Sequence, residues 1–203
     1  MTRSSAAGLI LVTASALAVG SLSLIVPGWA EAGDRASLNF VSLLNAAIKS
    51  AVAASGEPAA AALRFCEGIS ASTLDLDAMM ISASAGAYER LTAPHREAYK
   101  TAFLRRVLRD CATNAMTYMA TGNIELAGVR MLPSGERIVG TRGQGEAQKI
   151  VMWQVRLKEP GRLVVTDVLV EGRSAMLALR EKASLAEERE PGNVDALIGS
   201  LER

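Results

Sequence analysis

The sequence predicts an α+β fold: N-terminal helices, a four-stranded antiparallel sheet, then two C-terminal helices. Three observations predict it. Apolar residues recur at helical spacing from Leu38 to Met119, the period changes to two between Ile124 and Glu171, and it returns to helical from Arg173 onward.

Residues 1–32 read as an address rather than as part of the fold. Arg3 supplies a short positive start, and Ala6 to Val26 carries no charge. Pro27-Gly28 is expected to break any helix, and Ala30-Glu31-Ala32 is the small-x-small pattern that signal peptidase reads. The alternative is a retained anchor, because the apolar run approaches the length that spans a bilayer. Ser, Thr and Gly dilute that run, and no cysteine follows it to carry a lipid. Residues 1–32 are therefore read as a cleaved signal peptide and 33–203 as a single domain. That domain has no second hydrophobic span and works in the periplasm or outside the cell.

Leu38 to about Ser55 predicts an amphipathic helix, with Leu38, Val41, Leu44, Ile48 and Val52 on one stripe. Gly56-Glu57-Pro58 ends it and opens a second helix whose stripe is Ala62, Phe65, Cys66 and Ile69. A short helix is expected from Asp75 to Ala83, then a turn over Gly86 to Leu91. Thr92 can cap the next helix, with Pro94 tolerated in its first turn. That helix runs to about Met119, with Tyr99, Phe103, Val107, Cys111, Ala115 and Tyr118 inward and a basic outer face of Lys100, Arg105, Arg106 and Arg109. Gly122-Asn123 ends it.

Ile124–Leu132, Arg137–Arg142, Lys149–Lys158 and Arg162–Glu171 read as four strands. Pro133-Ser134-Gly135, Gly143-Gln144-Gly145 and Pro160-Gly161 separate them, so neighbours pair as an antiparallel meander. Val151, Trp153, Val155 and Leu157 are expected on one face of the third strand; Val164, Thr166, Val168 and Val170 share one face of the fourth. Helices follow over about Arg173–Glu188 and Asn193–Leu201, covering one face of the sheet.

Both cysteines point inward, and the exported compartment is oxidising, so a Cys66–Cys111 disulfide is expected. Two unpaired buried thiols are the alternative. A redox-catalytic pair would usually be Cys-x-x-Cys, which is absent.

Composition excludes several classes. Lys+Arg number 22 against 21 Asp+Glu, which lacks the basic excess of a nucleic-acid binder. One histidine leaves no multi-His metal site. There is no G-x-x-x-x-G-K-[ST] phosphate loop, and Ser174 lacks the second glycine of G-x-S-x-G. His95 sits at a helix start without a partner acid or nucleophile. Asp75/Asp77 and Glu187/Glu188/Glu190 read as a capping pair and a solvated face. Neither catalysis nor a cofactor is expected.

Val168-Leu169-Val170-Glu171-Gly172-Arg173-Ser174, with Arg180 following, resembles the MlaC/toluene-tolerance family of periplasmic lipid carriers. So does Asn193-Val194-Asp195-Ala196-Leu197-Ile198-Gly199-Ser200-Leu201. Leu74-Asp75-Leu76, Tyr88 through Leu91-Thr92-Ala93-Pro94, and Val151-x-Trp153-x-Val155-x-Leu157 also agree. The chain departs from the family pattern at Thr166, Ala93 and His95-Arg96, and in its cysteine pair, which marks a divergent member.

The resemblance implies a curved sheet and helices enclosing a deep apolar cavity. It further implies a carrier that takes phospholipid between an outer-membrane lipoprotein complex and an inner-membrane ABC transporter bearing an MCE protein, with transient membrane-surface contact. The expected lining is Met79, Met80, Phe103, Val107, Val151, Trp153, Val155, Val168, Val170 and Met176; Arg142, Arg173 and Arg180 are expected at the mouth or on a docking surface. The alternatives are a carrier of another membrane lipid, such as a hopanoid, and a non-catalytic adaptor of the envelope with a filled core.

Overall fold

The computed structural model describes residues 27–54, 56–119, 124–143, 149–159 and 161–202. The charge-free run before Pro27, the Gly122-Asn123, Gln144-Gly145 and Pro160 turn residues, and the Tyr118 side chain lie outside the described residues. Helices α1 (Pro27–Ala53), α2 (Pro58–Thr73), α3 (Leu76–Ala83) and α4 (Ala93–Met119) come first, with a 3-10 turn at Tyr88–Arg90. Strands β1 (Ile124–Met131), β2 (Arg137–Gly143), β3 (Ile150–Glu159), β4 (Arg162–Val170) and β5 (Arg173–Ser174) precede α5 (Ala175–Arg189) and α6 (Val194–Glu202).

The architecture is α+β, and the sheet is an antiparallel meander in the order β1-β2-β3-β4-β5. It has five strands rather than the four expected. Glu171 and Gly172 both take positive φ (51° and 77°), which folds Arg173 and Ser174 back onto Val170 and Leu169 before α5 begins. Ser174 then caps α5, its Oγ accepting from the Leu177 amide at 2.9 Å.

α1 is continuous from Pro27 through Ala30-Glu31-Ala32 to Ala53, and the expected break between it and the preceding apolar run lies outside the described residues. The later chain is not without a second apolar span, because Gly33–Ala53 is long and apolar enough to cross a membrane. Its stripe of Val41, Leu44, Ile48 and Val52 is nevertheless buried, as in a core helix. Arg137 on β2 reaches Asp34 at 3.0 Å and fixes how α1 lies over the sheet.

The phase of β4 is the second correction. Val155 pairs with Val165 while Gln154 pairs with Asp167, so Thr166 is the extra residue of a bulge. Val165 therefore joins the core, and Thr166 turns its hydroxyl to Glu136 at 3.1 Å. Leu157, beyond the bulge, is exposed rather than inward.

Apolar side chains gather in two clusters. A helical one is built on Met79, Met80, Tyr99, Phe103, Met176, Leu179, Leu197 and Leu201, from α3 to α6. The other joins α1, α2 and the far half of α4 to the sheet through Val41, Ile48, Ala62, Ala115, Val139, Val155 and Val165. The expected basic outer face of α4 is exposed at Lys100, Arg105 and Arg109, and two of its arginines also serve α6. Arg106 donates to the Leu201 carbonyl at 2.8 Å, and Arg109 to Leu201 and Glu202 at 3.4 Å, so they satisfy the open carbonyls at the C-terminus of α6.

Two ties hold these parts in place. Cys66 of α2 and Cys111 of α4 are disulfide-bonded with their Cα atoms 6.1 Å apart, which settles the alternative of free thiols. Asp75, read as a cap, makes no side-chain cap; it is buried and accepts from Lys158 at 2.9 Å and from Arg156. Its amide donates to the Val165 carbonyl at 2.9 Å, so the start of α3 is bound to the sheet by backbone and side chain together. Burial alone would raise the Asp75 carboxyl, but Lys158 and Arg156 outweigh it and leave the group below the ordinary carboxylate range.

Reduction of the disulfide, which spans 45 residues, is expected to cost about 4 kcal/mol in the chain-entropy model. Urea unfolding with and without reductant measures it. Asp75→Asn is expected to cost about 2–3 kcal/mol at pH 7, less than a fully buried pair because both cations can turn to water. A carboxyl made more acidic by folding contributes fully above about pH 4 and loses that contribution as pH falls through its lowered value. The parent protein should therefore lose stability more steeply than Asp75→Asn on acidification below that point, as unfolding free energies at stepped pH would record.

Candidate functional site

The two clusters do not close on each other. Between them lies a cleft with about 1000 Å³ free of protein atoms, counted to its open side, of which about 110 Å³ admits the centre of a water-sized sphere. On that measure about 10–15 Å³ holds one water, so the space is far larger than a packing defect, yet it is a slot rather than a chamber.

Each wall follows from local sequence. Alternation along β3 directs Val151 and Trp153 inward, and the bulge in β4 returns Val168 and Val170 to the same side. Helical spacing brings Leu44 and Ile48 of α1 over them, and Met79, Val107, Met176 and Leu179 form the opposite wall. Cys111 also lines the cleft, so the disulfide braces one side of it. Thr141, fully buried on β2, donates to the Val151 carbonyl at 2.9 Å and accepts from the Trp153 indole nitrogen at 3.1 Å. The polar edge of the indole is thereby held on the sheet while its ring borders the cleft.

The deep walls are apolar, and polar groups occur at the rim: Asp110 and Asn114 of α4, and Lys149 just before β3. Asp110 is held by Arg106 at 2.6 Å. Water inside such a lining finds few partners, whereas an apolar chain loses nothing by entering.

Of the residues expected to line the site, Met79, Val107, Val151, Trp153, Val168, Val170 and Met176 are brought to this cleft. Three are not. Met80 and Phe103 pack inside the helical cluster, and Val155 inside the sheet cluster, one pair beyond the point where the walls separate. Arg142 and Arg173 are exposed at the sheet end nearest the rim: Arg142 pairs with Ile150, and Arg173 with Val170. Arg180 is displaced by the turn of α5 and borders a separate polar pocket with Gln154, Arg156 and Ser174. Ser174 itself donates to Asp167 and caps α5, an arrangement that uses its hydroxyl structurally. Among the described residues no cluster of three His, Cys, Asp or Glu could hold a metal ion.

Residues 40–203 match the model of the MlaC protein family. The chain belongs to that family. No curated protein matches it. Among solved structures it is similar to a phospholipid-binding protein from Ralstonia solanacearum, determined in complex with a phospholipid, with a TM-score of 0.64 and 13% identity over 81% of this chain and 94% of that one. At that identity the likeness establishes the shared fold.

Several liners escaped the sequence reading. Leu44 and Ile48 were legible as a buried stripe, but nothing local told that stripe's cleft-facing part from its packed part. Lys149 carried no signal beyond its place at a strand start. Thr141→Val should leave the Trp153 indole donor unsatisfied and cost about 1–3 kcal/mol, measurable by urea denaturation, with a blue-to-red change in tryptophan emission as the ring loosens.

Proposed function

We propose that this chain is an exported phospholipid carrier: residues 1–32 are removed as a signal peptide, and 33–203 work in the periplasm as one lipid-binding domain. The observation that carries the proposal is the apolar cleft left between two packed clusters in a member of the MlaC family. A protein of the same fold described as binding phospholipid supports acyl chains as the occupant.

The energetics favour this kind of lining. A diacyl lipid carries roughly thirty methylenes, worth on the order of 20 kcal/mol against water at about 0.8 kcal/mol each. The true competitor is the bilayer, which is equally apolar, so a carrier has to match the membrane within a few kcal/mol or it never loads or never releases. A lining of Val151, Val168, Val170 and Val107, with Met79 and Met176 to adapt to chain shape, gives such a match. Met80, Phe103 and Val155 support the walls without meeting lipid. Flexible acyl chains also suit a slot better than the fused rings of a hopanoid. An adaptor with a filled interior is disfavoured by the same open space.

Arg142 and Arg173, exposed beside the open end, are the residues we assign to docking. The partners are an outer-membrane lipoprotein complex on one side and an inner-membrane ABC transporter with its MCE protein on the other, met through brief contact at each membrane. Without a nucleotide-binding motif the chain supplies no energy, and its partners set direction.

Native mass spectrometry of protein purified from the periplasm tests the proposal: one phospholipid per chain is expected, and lipid-free protein throughout would overturn it. Val151→Trp, which places a large ring in the slot, should lower co-purified lipid to about a tenth or less while the far-ultraviolet spectrum and unfolding midpoint are kept.

A further inference from the structure

We infer that Lys149 is a headgroup-selecting residue of this cleft, binding the anionic phosphate ester of a lipid whose acyl chains lie between the two clusters. The inference rests on the carrier reading above and adds to it which residue meets the headgroup.

Among the described residues that line the cleft, Lys149 is the only basic one. It is half-buried at the rim, directly before the strand that carries Val151 and Trp153 into the interior. Its backbone is fixed, since its carbonyl accepts from the Gly143 amide at 3.0 Å. Among the described residues its ammonium makes no ion pair. Asp110, the one carboxylate among the described lining residues, is already taken by Arg106 at 2.6 Å. A guest entering by its tails therefore leaves its polar end beside the Lys149 ammonium, with the Asp110 charge neutralised, the Glu171 carboxylate turned to the Ile150 amide at 2.9 Å, and the Asn114 amide available as a further donor or acceptor.

The chemistry of a lysine narrows the choice of guest. Its stem can lie along the apolar rim while the ammonium stays at the edge, where a charge pair is worth more than in bulk water. A phosphodiester keeps its negative charge across the physiological range, whereas a neutral glyceride offers nothing to the ammonium. The ammonium is a point charge without the fixed fork of an arginine, so it holds a phosphate without reading the alcohol esterified to it. Selection is thus for a phosphate headgroup as a class, and against diacylglycerol.

Lipid-stripped protein is incubated with vesicles containing equal amounts of phosphatidylglycerol and diacylglycerol of identical acyl chains, and the lipids it extracts are quantified by mass spectrometry. The parent protein should prefer phosphatidylglycerol; Lys149→Ala should reduce that preference about tenfold while still taking up diacylglycerol, and Lys149→Arg should retain it. The preference should also shrink as salt is raised. A preference unchanged in Lys149→Ala overturns the assignment, and so does an absence of preference in the parent. Uptake of neither lipid by the parent overturns the carrier reading itself, which is a different result. Titration of lipid-free protein with inorganic phosphate separates the two sources of the anion: heat of binding there, without any preference among lipids, gives the site to the free ion and overturns the headgroup assignment.

Discussion

The structure depends on keeping two apolar clusters apart. Left alone, such surfaces would collapse, because an unfilled cavity costs about 24 cal/mol for each Å³, or about 2–3 kcal/mol for the 110 Å³ here. That penalty is smaller than the roughly 4 kcal/mol attributable to one disulfide across 45 residues. The chain carries its bond at the place where it matters: Cys111 is itself part of the cleft wall. The Asp75 cluster holds the opposite side, tying the start of α3 to β3 and β4. Both walls are thus held by covalent and ionic ties of the chain itself.

Most of the fold was legible because most of it is periodic. Helices and strands fell where apolar spacing of 3.6 or two placed them, and the turn residues marked their ends. What local pattern could not give was phase and partnership. Met79 and Met80 are neighbours about 100° apart on a helix, and only their contacts decide which one meets the cleft. One inserted residue at Thr166 reverses the reading of Val164 and Val165, and nothing in the sequence marks it. Asp75 looked like a cap because its true partners, Arg156 and Lys158, lie about eighty residues away. The bonds of Arg106 and Arg109 were not legible because the carbonyls they serve lie still further along the chain.

The candidate site divides its work between shape and charge. Sheet side chains present a fixed surface, since Thr141 anchors Trp153 and the strand ladder holds the valines. The helical wall is the adaptable one, with unbranched Met79 and Met176 across from them. Charge is kept to the rim, where solvent moderates it, and the interior is left apolar. A cation deep in the slot would have to be paired or shed its proton, and it would hold an anion too tightly for exchange.

The placement of α6 sets an order of events. Leu197 and Leu201 are fully buried in the helical cluster, and the carbonyls beyond them are gripped by α4, nearly a hundred residues earlier. Contacts of such long sequence separation form late and slowly. A nascent chain that has not yet delivered these two leucines leaves Phe103 and Met80 without their cover, so half of the molecule cannot consolidate during synthesis. The chain therefore stays pliant until its final helix has emerged.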